Sequence, residues 1–216
     1  STQAKTLFPY TTLFRSPADP GQGLGELDVE VESVSIDDPN ARAELLLLSP
    51  TVLTPRLDHN GASIWDTFAI AEYLEEAFPK KGLLPLETGP RSHARSIIGE
   101  MHGGFYNLRS ALPMNLRARY PGFRVFTGAK ADIRRVLTIW NECFEQYRGR
   151  FLFGDQPTLA DAMYAPVCTR FLTYDVALEG KAAEYRDRII AWPPMQQWLE
   201  DSRAEPIEIE ELDIEF

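Results

Sequence analysis

Phe151-Leu-Phe-Gly-Asp-Gln-Pro-Thr-Leu-Ala-Asp161 is the stretch on which the reading of the fold turns. Thr158 and Asp161 stand three apart, the spacing at which each side chain accepts from the other's otherwise orphaned backbone N–H at a helix start. Behind them Leu159, Met163, Pro166, Val167 and Phe171 recur at helical steps, which predicts a helix over 158–173 with one buried stripe. A capping box alone is structural and carries no chemistry. The specificity lies in the whole string.

Outward from that string the pattern stays helical. Apolar positions at three- and four-residue steps predict further helices at 91–112, 130–148, 181–191 and 194–202. Residues 207–216 alternate acidic and aliphatic, and their charge density predicts an acidic tail lying in solvent or along the surface. Upstream of a Pro/Gly-punctuated connector at 79–90 the character changes. Residues 29–36 largely alternate apolar and polar, the period of a half-buried strand, and 41–48 reads as a short helix stopped by Ser49-Pro50. A hairpin follows, with strands at 55–58 and 63–65 turned at His59-Asn60-Gly61, where Asn-Gly supplies positive φ angles. Phe68, Ala71, Leu74 and Phe78 then mark a helix over 66–78, with Glu72, Glu75 and Glu76 expected on its outer face and Pro79 closing it. The fold class is α+β: a mixed N-terminal part followed by an all-helical one.

Composition narrows the partners. Lys and Arg number 22 against 32 Asp and Glu, a net charge of −10, so neither nucleic acid nor an anionic membrane surface is an expected partner. Apolar runs such as 45–48 fall far short of the ~20 residues of a membrane span, and no basic stretch leads into an apolar core at the N-terminus. Cys143 and Cys168 stand apart with no C-x-x-C, which opposes a disulfide scaffold, a zinc ribbon and a thioredoxin-type oxidoreductase. The cytoplasm is the expected compartment. His59, His93 and His102 have no ligand spacing, so no metal site is expected.

Two places hold candidate ligand groups. Thr54-Pro55 opens a strand, and a non-edge strand rejects proline. A cis bond would turn the backbone of Thr54 outward toward an extended peptide ligand, while a trans proline at a strand's first residue satisfies the same sequence. Asp66-Thr67 opens the following helix. In isolation the pair is a cap, yet the same geometry receives a carboxylate on the Thr67 N–H and hydroxyl and an ammonium on Asp66.

Taken together, S-P-T-x-x-x-P-x-L, then W-D-T-x-A-I-A-E-Y-L, then F-L-F-G-D-x-P-T-L-A-D-A-M-Y-A-P resemble the cytosolic glutathione S-transferase superfamily over about residues 27–203. The 100–115 helix is similar to the corresponding segment of a bacterial branch. The resemblance implies a thioredoxin-like glutathione-binding domain at 27–79 and an all-α domain at 91–203, which leaves an acidic tail at 204–216. It implies that Thr54 and Pro55 hold the cysteinyl part of glutathione and that Asp66 and Thr67 hold its γ-glutamyl end. A pocket for a small hydrophobic electrophile is implied at Met101, Phe105, Arg109 and Tyr164, in a homodimer.

Residues 1–26 depart from the family. The first strand, loop and helix there carry the hydroxyl or thiol that lowers the pKa of glutathione's thiol. Here residues 17–26 place two prolines and three glycines where that helix belongs, at about 1 kcal/mol per Gly and 3 per interior Pro against helix formation. Residues 6–16 (Thr6-Leu-Phe-Pro-Tyr-Thr-Thr-Leu-Phe-Arg-Ser16) resemble the translation of a short-read sequencing adapter. The thioredoxin-like domain is therefore expected to be incomplete, 1–26 to be non-native or disordered, and the catalytic residue to be unidentified. The expected function is transfer of glutathione to small electrophiles, or their reduction with it, impaired in this chain. The alternative is a non-catalytic binding protein of the same fold.

Overall fold

The computed structural model describes residues 55–204. The expected strand at 29–36, the helix at 41–48, Thr54, the 1–26 segment and the tail from 205 onward lie outside the described residues.

The hairpin forms from β1 (Arg56–His59) and β2 (Ala62–Trp65), antiparallel, with Arg56 opposite Trp65 and His59 opposite Ala62. Its loop is tighter than the three-residue turn expected. Asn60 (φ 50°) and Gly61 (φ 80°) form the whole connection, and two successive positive φ values match the right-handed twist of the strands. His59 therefore joins the ladder. Its Nδ1 lies 2.8 Å from the Tyr73 hydroxyl, tying the hairpin to the helix behind it.

That helix is α1 (Thr67–Ala77), followed by a 3₁₀ turn at Pro79–Lys81. Ala71 and Leu74 are buried, as their spacing predicts, but the acidic residues are not all outside. Glu75 is 4% exposed, and its carboxylate takes the Leu84 N–H (3.2 Å) and the Arg91 guanidinium (2.8 Å). Glu72 is half-buried against Arg95. Only Glu76 of the three is exposed. A buried carboxylate persists because both of its oxygens are partnered, one by a cation.

The two arginines come from α2 (Thr88–Gly103). A single helix over 91–112 was the expectation; the chain instead stops at Gly103 and restarts as α3 (Tyr106–Ala111). Two consecutive glycines weaken the helix there, and a Cβ on Gly104 would stand 2.6 Å from the Glu100 carbonyl oxygen. Phe105 then adopts φ 59° and caps the start of the new helix.

Four more helices complete the described part: α4 (Thr127–Tyr147), α5 (Leu159–Thr173), α6 (Gly180–Ala191) and α7 (Pro193–Ala204). No strand is assigned between 91 and 200 among the described residues; Phe151 and Gly154 form an isolated bridge. α5 is the centre. Thirteen of its fifteen residues are buried, so the single stripe expected is in fact an apolar circumference, the mark of a helix enclosed by others. Trp140 of α4 packs its ring against Tyr164, Phe171 and Tyr185, at centroid separations of 6.1, 5.7 and 4.9 Å.

The capping box forms as its spacing predicts. Asp161, with no exposed surface, accepts from the N–H groups of Thr158 (2.8 Å) and Leu152 (3.0 Å), the Thr158 hydroxyl (3.0 Å) and the Tyr185 hydroxyl (3.0 Å). Burial pushes its carboxyl above the usual range, against the pull of those four bonds. The segment before α5 is thereby locked to α5 and α6.

Candidate functional site

The start of α1 is built around Asp66, which sits at φ 74°, ψ 131°. A non-glycine residue there is strained, at a cost on the order of 1–3 kcal/mol, and persists only where its surroundings hold it. They do so on both carboxylate oxygens. Oδ1 accepts from the N–H groups of Phe68 (2.9 Å) and Ala69 (3.2 Å). Oδ2 lies 2.8 Å from His102 Nε2, which reaches across from the last turn of α2. The Asp66 carbonyl takes the Ile70 N–H at 2.9 Å.

The helix start therefore has three of its first four amides engaged. Among the described residues, none pairs with the amide or hydroxyl of Thr67, which is half-buried. A carboxylate offers about four lone-pair sites, and the described residues use three of those on Asp66. One donor pair and one acceptor site thus stand side by side at the positive end of a helix, suited to a ligand that carries a carboxylate and an ammonium on one carbon.

Three side-chain pairs tie α1 and its cap to α2 in antiparallel order: Glu75 with Arg91, Glu72 with Arg95, and Asp66 with His102. The Arg95 pair is bidentate, which fixes orientation as well as separation. Phe68 faces the His102 ring at a centroid distance of 6.3 Å. His102 is a site residue that the sequence reading passed over. No ligand-type spacing marks His102, which lies 36 positions from Asp66; a basic residue in the last turn of a helix was the available signal.

The four residues expected to line the second pocket gather near the α2–α3 corner and under α2. Met101 and Phe105 are buried, 5% and 7% exposed. Arg109 donates to the Met101 carbonyl and, at 3.2 Å, to the His102 carbonyl, so it caps the C-terminal end of α2. Tyr164 is fully buried in α5, its hydroxyl donates to the Ile97 carbonyl at 3.2 Å, and burial raises its phenol far above the usual range. Pro55 is half-buried and leads directly into β1.

Neither cysteine is an available nucleophile. Both are buried; desolvation pushes the Cys143 thiol up to about 12 and raises that of Cys168 well above its usual value. Among the described residues no cluster of three His, Cys, Asp or Glu could hold a metal ion, and no helix is long and apolar enough to cross a membrane.

Comparison with known proteins agrees along the chain. A family model described as the glutathione S-transferase N-terminal domain matches residues 23–82, and the model of the C-terminal domain matches 124–201. A probable maleylacetoacetate isomerase of Caenorhabditis elegans is 28% identical over 144 residues, covering 67% of each chain. A maleylpyruvate isomerase of Ralstonia sp is 32% identical over 130 residues, covering 55% of this chain and 58% of the relative. Among solved structures, a glutathione transferase homolog from Burkholderia gl BGR1 with bound glutathione superposes with a TM-score of 0.64 at 22% identity, over 95% of this chain and 94% of its own. At that identity the likeness speaks for the fold.

Proposed function

We propose, for a chain that belongs to the glutathione S-transferase superfamily, that the start of α1 receives the γ-glutamyl end of glutathione. The observation that carries this reading is the pairing at Asp66 and Thr67. The ligand's ammonium takes the remaining acceptor site of Asp66, and its carboxylate takes the Thr67 amide and hydroxyl, favoured by the partial positive charge of the helix start. Thr54, ahead of Pro55, pairs with the backbone of the cysteinyl residue. The electrophile lies over the α2–α3 corner, which Met101, Phe105 and Tyr164 support from beneath and Arg109 holds in shape. Two copies of the chain form the working unit.

The relatives named as maleylacetoacetate and maleylpyruvate isomerases favour one kind of electrophile, an activated alkene bearing carboxylates. Glutathione's thiolate adds to such a double bond, the resulting single bond rotates, and the thiolate leaves again with no net consumption. The alternative, a non-catalytic binder, shares the γ-glutamyl site and lacks turnover.

Calorimetric titration of glutathione into the wild type, D66A and T67A is the test. Each substitution removes a charge-assisted hydrogen bond and is expected to weaken binding by about tenfold. Wild-type affinity in D66A would remove the reading. Binding without conversion of any activated alkene or aryl halide would favour the non-catalytic alternative.

A further inference from the structure

We infer that His102 is a positioning residue for the ligand's ammonium: from the helical part of the chain, its imidazole holds Asp66 so that the acceptor site which the described residues leave open on its carboxylate faces the ligand. The inference rests on the proposal that Asp66 receives that ammonium. Three observations carry it. Asp66 occupies a backbone conformation that L residues rarely adopt, so something beyond local preference must hold it. Its Oδ1 is fixed by the two amides of its own helix, which sets the carboxylate's position but leaves the plane free to turn about that anchor. His102 Nε2 at 2.8 Å from Oδ2 supplies the second point and stops the turn.

The imidazole is itself held. Its residue's carbonyl takes the Arg109 guanidinium, and Phe68 covers one side of the ring. Both partners of the pair remain partly exposed, 38% for the His102 side chain and 43% for Asp66, so the contact faces the side from which a ligand arrives. The other two α1–α2 pairs, at Arg91 and Arg95, keep the helices in register and bring His102 level with the start of α1. A site read as belonging to the N-terminal part is thus completed by a residue of the helical part.

The test separates positioning from general support of the fold by varying the ligand. Glutathione and its deaminated analogue, glutaryl-cysteinylglycine, are titrated calorimetrically into the wild type, H102A, H102Q and D66A. H102A should weaken glutathione by about tenfold and leave the deaminated analogue unchanged, since no ammonium is there to be placed. H102Q, whose amide N–H reaches toward Oδ2, should recover most of the loss. Equal losses for both ligands in H102A and H102Q would assign His102 to the fold alone and overturn the inference. So would wild-type affinity for glutathione in H102A beside a clear loss in D66A, an outcome that leaves the γ-glutamyl site standing. Wild-type affinity in D66A, or no binding by the wild type, refutes the site and the inference together.

Discussion

Asp161 shows how a single residue can be indispensable without touching a ligand. Its carboxylate, in α5, is the common acceptor of two amides and two hydroxyls drawn from the 152–158 segment and α6. Removing it leaves the Leu152 and Thr158 N–H groups without a partner in a site closed to water, each at about 1–3 kcal/mol. D161A is therefore expected to lose at least about 3 kcal/mol of stability by urea unfolding, with D161N losing less because its carbonyl still accepts. A loss in D161A below about 1 kcal/mol would show that the segment is held by its apolar contacts alone. The sequence displayed this residue plainly, because a capping box is a local pattern, four residues long, that predicts its own hydrogen bonds. Tyr185 was invisible by the same reasoning: it meets Asp161 from 24 positions away. Asp66 was half legible. Its role as a cap follows from its place before a periodic run, whereas the imidazole on its other oxygen arrives through tertiary packing.

At the scale of the element, α2 is where sequence and structure part most. Its apolar spacing located it, but the break at Gly103 was hidden because the apolar pattern resumes in the right phase at Phe105, Leu108 and Leu112, all buried. Glu72 and Glu75 were assigned outward for a related reason. Periodicity gives polarity to a face, and only the neighbouring helix decides whether that face meets water or arginine. α2 also pairs on its other side, where Glu100 meets Arg135 of α4 through two bonds of 2.7 and 2.8 Å. The Arg135 guanidinium holds the Glu100 carboxyl below its ordinary range. A carboxyl lowered by folding stabilises the native state above the unfolded-state pKa of about 4.3, and that contribution is lost as the pH falls through the folded value. E100Q and R135Q should therefore show a smaller drop in melting temperature than the wild type between pH 5 and the acid limb beneath pH 4. Both side chains are more than a third exposed, so the difference should shrink in molar salt. An unchanged acid limb in both variants would show that the pair contributes nothing to acid stability.

For the whole molecule, the described part from residue 55 onward is locally consistent: caps, helical periods, hairpin turn and core agree. The connector joins this frame directly, the Leu159 N–H donating to the Leu83 carbonyl at 2.8 Å and the buried Leu83 and Leu84 packing into the common core. The weak point lies at the other end of the chain. A glutathione-dependent reaction needs the thiol as thiolate, and a cysteine thiol with an ordinary pKa of about 8.5 is ionised only to a few per cent at neutral pH. In the proposed binding mode the residues at the start of α1 address the γ-glutamyl end of glutathione, remote from its thiol. On this proposal the activating group comes from ahead of residue 55, where the sequence of 17–26 carries two prolines and three glycines, a composition that opposes a helix. The chain as it stands is accordingly expected to bind glutathione yet conjugate it to chlorodinitrobenzene at or near the uncatalysed rate. A version whose first 26 residues are replaced by a family-type strand, loop and helix with a serine or cysteine at the turn should raise the rate by at least about a hundredfold, the scale on which one positioned stabilising group acts. Measured side by side at pH 6.5 and 8.5, the replaced form should lose its advantage as the pH rises, because free glutathione ionises unaided there. Equal rates at pH 6.5 would mean that residues 1–26 already supply the activating group, and Tyr10, Thr11 and Ser16 would be the hydroxyls to remove next.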